Sequence, residues 1–172
     1  AMNMTLAVHQ ATASMLYLGI STTEVEAFIK RAHQKVGAPG NYFCIVLFGV
    51  ATSFPHGVKD AQILKKGDMV LIDTGCKVHD YLSDITRSYV FGEPTTRQRE
   101  FWDIEKYAQL AAFNAAKIGV PCEVVDDAAR GYLASQGLGP EYQTPGCPHR
   151  TGHGIGLDIH EWPYLVRGDK TP

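Results

Sequence analysis

Residues 69–92 read MVLIDTGCKVHDYLSDITRSYVFG. An apolar run of strand length, MVLIDTG, meets a bend at residues 75–80, and the chain returns with alternating character as YLSDITRSYVFG. β-Branched and aromatic residues at a period of two, bounded by turn residues, predict an antiparallel hairpin. Centred near residues 78 and 79, that hairpin would set Asp73 and Asp84 opposite each other. Like charges facing each other on paired strands are destabilising. Two carboxylates on strands this apolar want a cation between them. The residues alone leave a second explanation open, in which Asp73 caps a turn through Thr74–Gly75 and Asp84 is a solvated strand residue.

Working outward, Val8, Ala11, Met15 and Leu18 recur at helical spacing and predict a helix over about residues 3–18, ended by Gly19. Ser21 and Glu24 form a capping-box pattern that opens a second helix to about Val36. The segment GAPGN at 37–41 is a turn, and FCIVLFGV after it is another strand. Past the hairpin, Thr95 and Gln98 repeat the capping-box pattern. Phe101, Ile104, Ala108, Ala111, Ala115 and Ile118 then define an apolar helical stripe. Pro121 restarts the chain into a helix over about 122–136, and the remainder is rich in Gly and Pro with short extended pieces. The order helix, helix, strands occurs twice. It predicts an α+β fold with helices packed on an antiparallel sheet.

Composition narrows the function classes. A chain of 172 residues with 45% hydrophobic content supports one well-buried core. A net charge of -2, with scattered Lys and Arg, lacks the basic footprint of a nucleic-acid binder. No run approaches the roughly 18 apolar residues of a membrane span, and the start AMNMTLAVHQ lacks the parts of a signal peptide. The four cysteines form no CxxC pair, which points to reduced thiols in a cytoplasmic protein.

Downstream, residues 150–161 read RTGHGIGLDIHE. His153 stands between glycines, which let the backbone approach another group closely. His160 follows seven residues on, and His56 lies in FPHG after Pro55, which stiffens the loop. Read singly, each histidine is as readily structural as a ligand. Read together, DTGxxxxxYxSDxTR, TGHGIGLxxHE and the upstream PHG resemble the pita-bread metallopeptidases: Xaa-Pro dipeptidases (prolidases), aminopeptidase P, methionine aminopeptidases and creatinases.

The resemblance covers about residue 3 to the end and implies a pita-bread catalytic fold, with residues 1–172 as a catalytic-domain portion lacking the N-terminal domain of many relatives. It implies a metal-dependent exopeptidase that hydrolyses the bond before proline by a hydroxide activated between two divalent ions. Manganese leads, with cobalt, iron or zinc as alternatives. Asp73 would ligate one ion, Asp84 would bridge both, and His153 would ligate the other. His56 and His160 would be catalytic histidines contacting the substrate or the tetrahedral intermediate. Ser83 and Arg87 would orient the hairpin, His79 would sit at its tip, and His149, Arg150 and Glu161 receive no catalytic role. The expected partner is a proline-containing peptide, with no nucleic acid and no membrane.

Family members use five ligands, the last two being glutamates C-terminal to the HE motif. The last glutamate here is Glu161, inside that motif. The expectation is therefore an incomplete fold with poorly occupied metal sites, an inactive fragment whose open sheet edge favours a homodimer. Two alternatives stand beside it: a creatinase-like non-peptidase hydrolase, and a metal-free homologue acting as a binding module.

Overall fold

The computed structural model describes residues 1–172 apart from Pro55. Two compact units form: Ala1–Thr95 together with Ile155–Ile159, and Thr96–Gly154 together with His160–Pro172.

In the first unit, helices α1 (Met2–Met15) and α2 (Thr22–Lys35) precede strand β1 (Phe43–Phe48) and a 3-10 turn at Gly49–Ser53. Strands β2 (Met69–Gly75), β3 (Lys77–Val78), β4 (Tyr81–Leu82) and β5 (Ile85–Val90) follow. α1 ends three residues before the sequence predicts. Leu16 is already extended, and Gly19, at φ +92°, donates to Leu64 O at 2.9 Å. The capping box of α2 forms as expected: Glu24 N donates to Ser21 Oγ at 3.2 Å and Ser21 N to Glu24 Oε2 at 3.0 Å.

β2 lies between β1 and β5, antiparallel to both. Alternation turns Val70 and Ile72 to one face, where they join Val46, Phe48, Val8, Val25 and Ile29 in the core. The next residues along β2, Leu71 and Asp73, take the other face.

The hairpin register differs from the sequence expectation. Asp73 pairs with Thr86 and Val78 with Tyr81, so the turn centres on His79–Asp80, one residue later than predicted. Both turn residues have positive φ, +49° and +68°, the geometry of a two-residue link that matches strand twist. Asp84 therefore stands diagonally from Asp73, two positions before its partner Thr86 and on the same face, rather than directly opposite.

In the second unit, α3 (Thr96–Ala115) and α4 (Cys122–Ser135) precede the short strands β6 (Gly152–Gly154) and β7 (Glu161–Leu165), which pair antiparallel. The predicted α3 stripe is only partly a core face. Ala108 and Ala112 are buried, whereas Phe101 and Ile118 are exposed. Phe101, Ile104 and Ala108 instead wall a groove of about 720 Å³, with Val125, Leu133 and Leu165 across it. The buried apolar cluster of this unit is Ala112, Val125 and Ala129, against nine larger-sided residues in the first. At about 25 cal/mol per Å² of apolar area, so small a cluster contributes far less, so polar contacts carry more of the second unit's loop packing.

The four cysteines are free, and burial pushes the Cys44 thiol up to about 12. Among the described residues no helix is long and apolar enough to cross a membrane.

Candidate metal centre

Asp73 occupies the half-buried face of β2, flanked in register by Ile45 on β1 and Thr86 on β5. Burial pushes its carboxyl above the usual range; a hydrogen bond from Thr86 works against that rise, and the charge of Asp84 adds to it. Asp73 Oδ1 is buried and has no hydrogen-bond partner among the described residues. A half-buried carboxylate with a like-charged neighbour and an unmet oxygen is costly, and that cost marks functional positions more often than structural ones.

The backbone beneath the pair is fixed by buried polar groups from α1 and α2. Cys76 N donates to Ser83 Oγ at 2.9 Å, and Ser83 Oγ lies 2.8 Å from Thr5 Oγ1. His33 Nδ1 donates to Ile29 O at 3.1 Å, which leaves Nε2 to accept from Thr5 Oγ1 at 3.2 Å. The relay runs from Ser83 through Thr5 to a neutral His33. Gly75 is required where the strands converge, because a Cβ there would fall on Ser83 O. His9, 7% exposed, donates from Nε2 to Ile85 O at 2.9 Å, which fixes the strand beside Asp84. Burial lowers the pKa of both His9 and His33.

In the second unit, His153 on β6 and His160, the residue before β7, meet edge to face, ring centroids 4.4 Å apart at 89°. His153 Nδ1 lies 2.9 Å from Gly154 O and donates to it, so in the neutral ring Nε2 carries the lone pair. Ligating histidines characteristically hold one ring N–H on a carbonyl and offer the other nitrogen to the metal. Gly154 permits this arrangement: a Cβ would lie 2.6 Å from Glu161 O and 2.9 Å from Trp162 O.

The other residues singled out by sequence fall as follows. His56 is exposed in the loop after the 3-10 turn; Pro55, assigned a stiffening role, lies outside the described residues. Ser83 does orient the hairpin, its Oγ accepting from Cys76 N. Arg87 donates to the neighbouring Thr86 O, and His79 is a tip residue. His149 accepts from Arg130 through its backbone, and the Arg150 guanidinium lies 4.9 Å from the Tyr164 ring centroid.

Sequence reasoning missed Thr5, His9 and His33, and it missed a buried ion pair on α4. Asp126, fully buried, and Arg130, 5% exposed, meet with Arg130 Nε 2.7 Å from Asp126 Oδ2. The only sequence signal was an Asp and an Arg four residues apart, a spacing that is usually a solvated surface pair.

The residues present fit a divalent cation. Oxygen donors suit manganese and its neighbours, imidazole is compatible with them, and Asp73 carries an unmet oxygen. Comparison with known proteins gives the family in which this arrangement sits. The chain belongs to Metallopeptidase family M24, whose pattern matches residues 1–172. It is 36% identical over 154 residues to the Xaa-Pro dipeptidase of Pyrococcus horikoshii, covering 89% of this chain and 42% of that relative. Its structure superposes on the X-Pro aminopeptidase of Thermotoga maritima with a TM-score of 0.91 at 31% identity, over 100% of this chain and 48% of the other. On the prolidase of Pyrococcus furiosus the TM-score is 0.89 at 34% identity, over 98% and 49%. The fold is the pita-bread fold expected from sequence, and the chain spans less than half the length of these relatives.

Proposed function

We propose that these residues contribute the Asp73, Asp84 and His153 ligands of a dinuclear metal centre in an exopeptidase that cleaves the bond before proline. The observation that carries the reading is the Asp73–Asp84 pair, set on one face of a hairpin with a buried, unmet oxygen on Asp73. Divalent ions, manganese first, would supply Lewis acidity and lower the pKa of water towards neutrality. Asp73 and Asp84 would supply hard anionic donors, and His153 a nitrogen whose tautomer Gly154 O fixes. His160 would hold its imidazole against His153 and donate to the carbonyl oxygen as negative charge develops there. His56 would bind the substrate from its exposed loop.

The proposal includes an expectation for the 172-residue chain by itself. Three ligand side chains for two ions form a weak set, so this polypeptide should bind metal loosely and show no Xaa-Pro hydrolysis with added Mn²⁺. A protein carrying this segment over the relatives' full length should release proline from Xaa-Pro dipeptides in Mn²⁺ and lose that activity in Asp73→Asn. Hydrolysis of creatine instead, or metal binding without hydrolysis of either substrate, would contradict the proposal.

A further inference from the structure

The Asp126–Arg130 pair is satisfied to the last proton. Arg130 has five N–H donors, and all five find acceptors. Nε donates to Asp126 Oδ2 at 2.7 Å, and Nη2 to Asp126 Oδ1 at 3.0 Å. Nη1 donates to Glu141 O at 2.9 Å and Cys147 O at 2.6 Å, and Nη2 also to His149 O at 2.6 Å. One guanidinium thus holds three carbonyls of the Gly- and Pro-rich segment that leads into β6. Asp126 completes the cage. Its Oδ2 accepts from Tyr142 OH at 2.8 Å, and its Oδ1 from Thr151 Oγ1 at 2.7 Å and Thr151 N at 3.2 Å.

Thr151 is two residues before His153, roughly 7 Å along an extended chain. Its N also donates to Leu165 O at 3.0 Å, so one residue fixes both the entry to β6 and its register on β7. A buried ion pair is a poor choice where stability alone is wanted, since apolar packing of similar volume often does as well or better. Its geometric specificity is what a hydrophobic cluster of two alanines and a valine cannot supply.

We infer that Asp126 and Arg130 are positioning residues that, through Thr151, set the backbone of His153 and hold its ring edge-on against His160. The inference takes its functional meaning from the proposal that His153 ligates metal. The positioning itself can be read without metal.

The test compares the wild-type chain with Thr151→Val, which deletes one hydroxyl and leaves the ion pair intact, and with Asp126→Asn. His153→Ala serves as the reference for metal. Two quantities are read: nuclear Overhauser contact between the His153 and His160 ring protons in the metal-free chain, and affinity for Co²⁺. Thr151→Val should stay folded, lose the ring contact, and weaken Co²⁺ binding by roughly 10- to 100-fold, the range for outer-shell partners of metal ligands. In the His153→Ala background it should weaken binding no further. Retention of the ring contact in Thr151→Val, whatever happens to the melting temperature, overturns the inference and leaves the network a structural clamp. Loss of the ring contact with Co²⁺ affinity unmoved, in this variant and in His153→Ala alike, upholds positioning and removes the ligand reading of His153.

Discussion

Two aspartates, the half-buried Asp73 in the first unit and the fully buried Asp126 in the second, are treated in opposite ways. Asp126 accepts five hydrogen bonds, from Arg130, Tyr142 and Thr151. Burial alone would raise its carboxyl, but those bonds and the Arg130 charge hold it below the usual range. Asp73 keeps a buried oxygen without a partner among the described residues, stands near Asp84, and is pushed up. Both carboxylates are desolvated, yet only one has its demands met by the protein. The aspartate that is fully provided for organises structure; the one left wanting a positive charge is the one proposed above to receive a cation.

The largest effect should come from breaking the satisfied side. Arg130→Ala leaves Asp126 buried and uncompensated, which costs about 3–5 kcal/mol, a large share of a typical domain's stability. Urea denaturation followed by hydrogen exchange on residues 139–154 would measure it. Arg130→Lys should also destabilise, because an ammonium has three donors for five acceptors. A Lys variant as stable as wild type would erase the contrast.

Neutralising each aspartate in place sharpens the comparison, because the signs differ. Asp126→Asn should destabilise the chain, since an amide repels part of the guanidinium fork and loses its charge partner. In the metal-free chain Asp73→Asn should stabilise, by about 0.5–2 kcal/mol, the usual gain when a strained functional residue is relieved. Thermal melts of the two variants in chelator suffice to show it.

Acidification separates the units further. His9 and His33 are held neutral with lowered pKa values, so the unfolded chain takes up protons near 6.5 before the folded chain does. Their contribution is therefore complete above about pH 6.5 and lost as pH falls from there through the lower folded values. Asp126 has a lowered carboxyl pKa, so its contribution persists until pH falls below its ordinary 3.8. The raised Asp73 acts in the opposite sense, since its protonation on acidification relieves the first unit. Hydrogen exchange at pH 7.5 and 5.0 should show amides of α1 and α2 losing protection while those of α4 keep theirs.

A smaller effect concerns β6. Gly154→Ala forces a Cβ onto Glu161 O and Trp162 O, an overpacking cost of about 1–3 kcal/mol. It should shift the β6–β7 amide resonances and leave those of β2 and β5 in place.

Much of this was legible in the sequence, for identifiable reasons. MVLIDTG announces its strand by composition and period, and Ser21 with Glu24 announces a helix start through local hydrogen bonds. The register differs by two residues from the one the sequence predicts because it depends on His79 and Asp80 adopting positive φ, and His-Asp is a weaker turn signal than Asn-Gly. Asp73, Asp84 and His153 were singled out because the family motif's spacing marks those positions, and the ligand roles proposed for them rest on that spacing. His33 and Thr5 were not, because a His and a Thr on separate helices gain meaning only when Ser83 arrives between strands far along the chain. Asp126 and Arg130 were hidden for the same reason: their burial is created by residues 141–151 folding back on α4. The α3 stripe misled because apolar residues lining an open groove and apolar residues in a core share one periodicity.

If the unmet Asp73 oxygen serves to receive a divalent cation, that cation must act on stability through Asp73. Mn²⁺ raises the melting temperature of any chain that binds it only when folded. Its effect on the wild-type chain and on Asp73→Asn, each referred to the same protein in chelator, is the direct test. The wild-type chain should show a rise that grows with millimolar Mn²⁺, and Asp73→Asn should show none. An equal rise in both, or none in either, would contradict it.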